Sequence, residues 1–320
     1  MAMALGEFEL IERFFKREQA GVLLGVGDDA ALLAPSPGMQ LAVSADTLVE
    51  GRHFFAGTDP YAIGWKSLAV NLSDLAAMGA TPRWFTLCLT LPRADADWLQ
   101  AFSGGLFALA EAHGIALVGG DTTSGPLAIS IQIIGELAPA AALRRDAARL
   151  GDDIWLSGPT GAAALAVQQR LGKLDLAGAD LLHCARRLDY PEPRVQLGLA
   201  LAGLAHAAID VSDGLLADLG HICQRSGLGA ALLLDALPGL PLALPPAADA
   251  LQVAQLSGGD DYELCFTAPV SARAALIALG ERLGLPMARI GSMQAGAAVT
   301  VLGADGRVLP QARAGFNHFA

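Results

Sequence analysis

The sequence predicts an α/β (α+β) fold in two domains, and three observations carry that reading. The chain has 320 residues, more than one domain of about 150 residues needs. Short apolar runs alternate with helix signals through the first half, which argues for strands packed with helices. A segment over 138–153, rich in Ala, Arg and Asp and containing Pro139, separates that half from a second series of elements. The expected domains are 1–138 and 139–320.

The elements follow in order. Residues 41–44 (LAVS) read as a buried strand. Asp59-Pro60 opens a long helix, with Asp as its cap and Pro in its first turn, running to about Met78 and stopping at Gly79. A strand is expected over 84–90, a helix over 95–113 stopped by Gly114, and a short strand over 116–118 followed by a turn, GGDTTSG. Residues 127–137 read as a strand able to pair beside it. In the second half a strand over 154–157 leads through Gly158-Pro159-Thr160-Gly161 into a helix near Ala162. Helices are expected over 193–208, 213–225 and 270–284, a surface loop over 236–248, and a late strand over 299–302.

Composition narrows the function. Hydrophobic residues at 53% and charged residues at 17% exclude a disordered chain. A net charge of −11 argues against nucleic acid, whose affinity comes mostly from neutralising phosphates, and against an anionic membrane surface. The longest nearly uncharged helical stretch, 195–209, is shorter than the roughly 20 apolar residues of a membrane span. The N-terminal residues alternate charge with apolar side chains, unlike a signal peptide. The expected compartment is the cytoplasm. There Cys88, Cys184, Cys223 and Cys265, none at CxxC spacing, are expected as buried free thiols.

Aspartates recur in small Gly- or Ser-flanked clusters: Gly27-Asp28-Asp29, Ser44-Ala45-Asp46, Asn71-Leu72-Ser73-Asp74, Gly119-Gly120-Asp121, Asp210-Val211-Ser212-Asp213-Gly214 and Gly258-Gly259-Asp260-Asp261. Each alone reads as turn chemistry, and Ser212 or Asp213 reads also as a helix cap. Asp74 resists the turn reading, since it shares a helix side with Asn71 in an apolar stretch. Together the clusters favour a site where Mg²⁺ ions hold phosphates, because converging carboxylates repel one another without cations between them.

Competing motifs fail. There is no GxxxxGK[ST], GxSxG or HExxH. Gly25-Val26-Gly27-Asp28-Asp29-Ala30 matches GxGxxA formally, but its aspartates would repel a pyrophosphate. Gly158-Pro159-Thr160-Gly161 reads as an ordinary helix entry or, less favoured, as an anion site. His53 reads equally as structural or as a substrate contact.

The segments GEFELIERFF, GVGDDAAL, SADTLVEGRHF, AVNLSDLAAMGA, LVGGDTTSGPL, AIDVSDGLLADLGHI, LSGGDDYELCFT and GFNHF, in this order over nearly the whole chain, resemble the thiamine-monophosphate kinases. That family belongs to the ATP-binding superfamily of aminoimidazole ribonucleotide synthetase and selenophosphate synthetase. The resemblance implies the two-domain fold of that superfamily, with an N-terminal domain for metal, ATP and dimerisation and a C-terminal α/β domain completing the site. It implies ATP-dependent phosphorylation of thiamine monophosphate to thiamine diphosphate, several Mg²⁺ ions and a homodimer.

The resemblance implies metal contacts from Asp29, Ser44, Ala45, Asp46, Asp74, Asp121, Asp210 and Asp213, with Asp46, Asp74, Asp121 and Asp210 central to catalysis. It implies ATP contacts from Gly120, Asp121, Arg145, Ser212 and His113, and thiamine monophosphate contacts from His53, Asp260 and Phe316. His113 stands where relatives often have Tyr, Ala45 where they often have Thr, and Asp260 where they commonly have Glu. Another ATP-dependent phosphotransferase or synthetase of the superfamily, and a binding protein without turnover, are the alternatives.

Overall fold

The computed structural model describes residues 6–17 and 21–310. The chain divides into two compact units, one of residues up to 75 with 80–140, the other of residues from 141 onward with 76–79.

The first unit contains α1 (Glu7–Phe14), β1 (Gln40–Val49), α2 (Pro60–Met78) up to residue 75, β2 (Thr81–Leu91), α3 (Ala96–His113), β3 (Ala116–Ser124) and β4 (Ala128–Leu137). The strands form one sheet in the order β1-β4-β2-β3. β4 runs antiparallel to both β1 and β2, and β3 lies parallel to β2. The parallel pair needs a crossover, which α3 supplies.

Local signals set the helix ends. Asp59 Oδ1 accepts from the Tyr61 amide at 3.1 Å. Asp95 accepts from the amides of Asp97 and Trp98, and Gly114 closes α3 in the left-handed conformation. α2 and α3 touch through glycines: a Cβ on Gly64 would lie 2.0 Å from the Phe102 carbonyl oxygen, and one on Gly105 1.9 Å from that of Tyr61. Their apolar sides, with Leu68, Leu72, Leu99, Phe102 and Leu106, are fully buried, as are Phe85, Leu89, Ile129, Ile131 and Ile133 of the sheet. On the opposite sheet face Val22, Ala31 and Leu33 pack over Trp84, Ala116, Val118 and Ile134, while Val43, Ala45, Thr47 and Cys88 stay exposed.

The second unit contains β5 (Asp153–Leu156), α4 (Ala162–Arg170), α5 (Gly178–Asp189), α6 (Val195–Ala200), β6 (Ala207–Asp210), α7 (Leu215–Ser226), β7 (Gly229–Leu233), α8 (Ala248–Ser257), β8 (Leu264–Ala268), α9 (Arg273–Leu283), β9 (Ala288–Gln294) and β10 (Val299–Leu302). Its strands run β10-β7-β9-β5-β8-β6. Leu215, Leu219 and Ile222 of α7 pack on Ile154, Leu156, Ile209, Leu232 and Ile290 of the sheet. α4, α5 and α8 close a second cluster around Leu165, Cys184, Leu188 and Ala254.

The structure corrects several expectations. GGDTTSG is strand, not turn: β3 continues to Ser124 beside β2. Gly120 makes this possible at φ +148°, since a Cβ there would lie 1.8 Å from the Leu87 carbonyl oxygen. β4 pairs with β1 and β2 rather than with β3. The expected helix over 193–208 is α6 alone, followed by β6, whose four residues are all buried. Fully buried apolar strands lack alternation and read like helix segments, which also left β7 and β8 unread; β9, only partly buried, went unread as well. Cys88 is exposed, whereas Cys184, Cys223 and Cys265 are buried free thiols.

Candidate phosphoryl-transfer site

In the first unit the β-pleat divides the expected residues between two faces. Ser44 and Asp46 lie on the helix-covered face. Ser44 Oγ donates to Asp74 Oδ2 at 2.5 Å. The Asp46 amide donates to Asn71 Oδ1 at 3.1 Å, and Asn71 Nδ2 donates to the Ser67 carbonyl at 2.9 Å. β1 and the second half of α2 thus bring Ser44, Asp46, Asn71 and Asp74 together. This works because positions 71 and 74 share one helix side while 44 and 46 share one strand face.

Asp121 lies on the other face. It sits in one row with Cys88, Ser130 and Thr47 across the sheet, and paired residues point the same way. Ala45 shares that exposed face. Asp29 is exposed in the segment that packs over it, with its amide held by Asp28 Oδ1 at 2.9 Å.

His53 closes the turn after β1. Its Nδ1 accepts from the Val49 amide at 3.0 Å, so a neutral ring carries its proton on Nε2. Lys66, buried in α2, donates to the His53 carbonyl at 3.4 Å. His113 stands apart. It ends α3 before β3 begins, and Asp121 lies five strand residues beyond Ala116, about 17 Å further along. Burial holds the His113 imidazole below its ordinary pKa.

In the second unit two loops meet at the end of β6 and the start of β8. The Asp260 amide donates to the Ser212 carbonyl and the Tyr262 amide to the Val211 carbonyl, each at 2.9 Å. The Val211 amide donates to the Glu263 carbonyl at 2.8 Å. Gly259 packs so closely that a Cβ would lie 2.3 Å from the Ser212 carbonyl oxygen. Asp210, Ser212, Asp213 and Asp260 are thereby brought together. Arg145 is not among them. Its carbonyl accepts from Ser226 Oγ at 2.9 Å, at the far end of the 12-residue α7, about 18 Å along the helix. Phe316 lies outside the described residues.

Three buried acids shape these loops: Asp218 and Glu263 were missed in the sequence, and Asp261 was read only as a member of an aspartate cluster. Asp218 Oδ2 accepts from the amides of Ser212, Asp213 and Gly214 at 3.0, 3.0 and 3.1 Å. Neither Ser212 nor Asp213 caps α7 through its side chain; the helix reaches back to its own entry loop from within its first turn. The spacing of Asp218 behind Ser-Asp-Gly resembles a reciprocal cap and was the available signal. Burial and the nearby Asp213 push its pKa to about 7, against the pull of the three amides.

A carboxyl raised on folding contributes stability that is full below the unfolded-state value and lost as pH rises through the folded one. Asp218→Asn is therefore expected to remove part of a stability decline between about pH 4 and pH 7. Urea midpoints for both proteins across that range check it, and parallel curves would contradict it.

Asp261 is 1% exposed, and its Oδ2 accepts from the Gly161 amide at 2.7 Å. The group at the α4 entry is thus the protein's own carboxyl, and Gly158-Pro159-Thr160-Gly161 is a helix entry held by a distant acid. Burial pushes Asp261 well above the usual carboxylate range. Glu263, fully buried, receives Arg187 at 2.6 Å, Arg194 at 2.5 and 2.8 Å, and Ser157 Oγ. Burial alone would raise it, but the two guanidiniums hold it below its ordinary value.

The donors gathered here are carboxylates and hydroxyls, the oxygen set that Mg²⁺ takes. Among the described residues no three acidic, His or Cys side chains converge as a complete metal cage. That suits Mg²⁺, which is commonly held by one or two carboxylates, several waters and the substrate's own phosphates. No helix among the described residues is long and apolar enough to cross a membrane.

Residues 27–137 match the N-terminal domain, and residues 149–303 the C-terminal domain, of the AIR synthase related proteins. The thiamine-monophosphate kinase of Salmonella typhimurium is 47% identical over 327 aligned positions, covering 99% of each chain. The crystal structure of the thiamine-monophosphate kinase of Stenotrophomonas maltophilia is 53% identical with a TM-score of 0.87, covering 96% of this chain and 99% of that one. AaThiL, solved with AMPPCP and TMP, is 29% identical with a TM-score of 0.75, covering 96% of both chains.

Proposed function

The chain belongs to the thiamine-monophosphate kinases, a branch of the AIR synthase related proteins, and from that premise we propose that it transfers the γ-phosphoryl group of ATP to thiamine monophosphate, releasing thiamine diphosphate and ADP. The observation that carries this reading is identity of nearly half the positions along almost the whole chain. The AaThiL complex supports both substrates, since an ATP analogue and TMP occupy that relative.

The attacking group is a phosphate oxygen of thiamine monophosphate, already ionised near pH 7, so no strong general base is required. The transfer is in line and leaves no phospho-enzyme. One P–O bond forms to the acceptor oxygen as the bond from the γ-phosphorus to the β–γ bridging oxygen breaks, and ADP leaves with that electron pair. The obstacle is repulsion between two polyanions, so the protein's work is positioning and electrostatics. Mg²⁺, when bound, neutralises charge on the phosphates.

Residues that would hold Mg²⁺ are, in the first unit, Asp46 and Asp74 on the covered sheet face and, in the second unit taken by itself, Asp210 and Asp213. Ser44 orients Asp74 through its hydroxyl, and Asn71 fixes the β1 backbone at Asp46. Ser212 would meet ATP, while His53 and Asp260 would meet thiamine monophosphate. Asp121 and Ala45 lie on the other sheet face with Asp29 above it, and with the Gly120 backbone that precedes Asp121 they would serve the nucleotide and its metal from there.

A homodimer through the first unit is part of the proposal. On that face β1 keeps Leu41 47% and Val43 56% exposed next to Ala45, an apolar strip suited to a second copy. The cytoplasm is the compartment proposed.

The test mixes purified protein with ATP, Mg²⁺ and thiamine monophosphate and separates the products. Thiamine diphosphate is expected in Mg²⁺ and not in EDTA. ADP without thiamine diphosphate would overturn the assignment in favour of another acceptor.

A further inference from the structure

We infer that Tyr262 is a positioning residue for thiamine monophosphate, acting through Asp260; this rests on the reading that Asp260 contacts that substrate. The two residues share one loop, and the Tyr262 hydroxyl donates to Asp260 Oδ1 at 2.8 Å. Tyr262 is 8% exposed and Asp260 half-buried, so the phenol reaches from inside the fold to a carboxylate at its surface. Such a bond is stronger than the same bond in water.

The backbone is shaped to make this contact. Asp260 at φ +66° and Tyr262 at φ +53° are both left-handed, a region that disfavours residues carrying a Cβ. Strain of this kind persists only where surrounding contacts over-determine it, and it concentrates at functional sites. Here the over-determination is visible: both amides are tied to the Val211-Ser212 carbonyls. Asp261 between them turns inward to the Gly161 amide, and Gly258 leaves no room for a Cβ, which would lie 2.4 Å from the Ala254 carbonyl oxygen.

An ordinary extended path across three residues would send the side chains of 260 and 262 to one face, without bending one back onto the other. The left-handed pair brings the hydroxyl to the carboxylate instead. With Asp rather than Glu at 260, the carboxylate has a short arm, and the phenol fixes where that arm points.

The experiment compares the wild type, Tyr262→Phe, Asp260→Asn and the double variant by steady-state kinetics, varying each substrate in turn. Tyr262→Phe keeps the ring and removes one hydrogen bond to a charged group. It is expected to raise KM for thiamine monophosphate about tenfold, with kcat and KM for ATP within about twofold. The double variant is expected to be no worse than Asp260→Asn alone, because the hydroxyl acts only through that carboxylate.

An unchanged KM in Tyr262→Phe, with a raised KM in Asp260→Asn, would overturn the inference and leave the role of Asp260 standing. An unchanged KM in Asp260→Asn would remove that role and the inference with it. Equal loss of kcat and both KM terms, additive in the double variant and accompanied by a lower Tm, would show a loop brace only and also overturn it.

Discussion

Asp74→Asn is expected to lower kcat by about 10² to 10³-fold while the protein stays folded. Asp74 accepts the Ser44 hydroxyl on the covered face of the first sheet, beside the Asn71 that fixes the Asp46 backbone. The amide has the size of the carboxylate, and its oxygen still accepts from Ser44. What is lost is one unit of negative charge at the position that would face a divalent cation. Extra Mg²⁺ is expected to restore only part of the rate, because occupancy is one of two things changed; the charge on any bound ion's surroundings is the other. Turnover and a melting curve measured together decide it. A rate within about threefold of wild type, in a protein of unchanged Tm, would remove Asp74 from the site.

Glu263→Gln is expected to be the most destabilising single change in the second unit, costing about 3–5 kcal/mol. Two guanidiniums, of Arg187 and Arg194, point at one fully buried carboxylate. The glutamine amide leaves both charges in place with a neutral partner and turns a donor toward one of them. The cost is that of buried charge without compensation, which exceeds the net worth of the intact cluster. Because the cluster lies beneath the Asp260 loop, the variant is expected to lose activity as it loses Tm. Urea unfolding followed by Trp155, buried in β5 of the same unit, reports it. A loss below about 1 kcal/mol would mean that the arginines turn out to water.

Local chemistry was legible in the sequence. The Asp59-Pro60 entry, the Asp95 cap and the Gly114 stop each act within a few residues of themselves, so a window of sequence contains the whole cause. Asp74 and Asn71 were legible for a similar reason, as polar side chains three apart in an apolar helix. Asp261 and Glu263 were not. Their partners, Gly161, Ser157, Arg187 and Arg194, lie 69 to 106 positions away. Nothing within the SGGDDYEL segment distinguishes these two acids from Asp260.

Strand direction was the other hidden variable. His113 and Arg145 entered as nucleotide contacts by resemblance. The structure ends α3 at His113 before β3 begins, with Asp121 about 17 Å along β3 from Ala116, and sets the Arg145 backbone at the opposite end of α7 from Ser212. A motif fixes the residue type at a position but not which end of a sheet that position reaches. The two-faced division of Asp46 and Asp121 was equally unreadable while GGDTTSG was taken for a turn, since parity along a strand has meaning only once the strand is known to continue.

The left-handed pair at 260 and 262 has a consequence for how this gene drifts. Glycine at 260 would relax the backbone by about 1 kcal/mol, so mutation screened for folding alone runs toward glycine there, whereas at 262 the buried ring outweighs the strain. If Asp260 binds substrate as proposed, a duplicated copy released from thiamine metabolism would show its release first at that one codon, with the aspartates of β1 and α2 still intact.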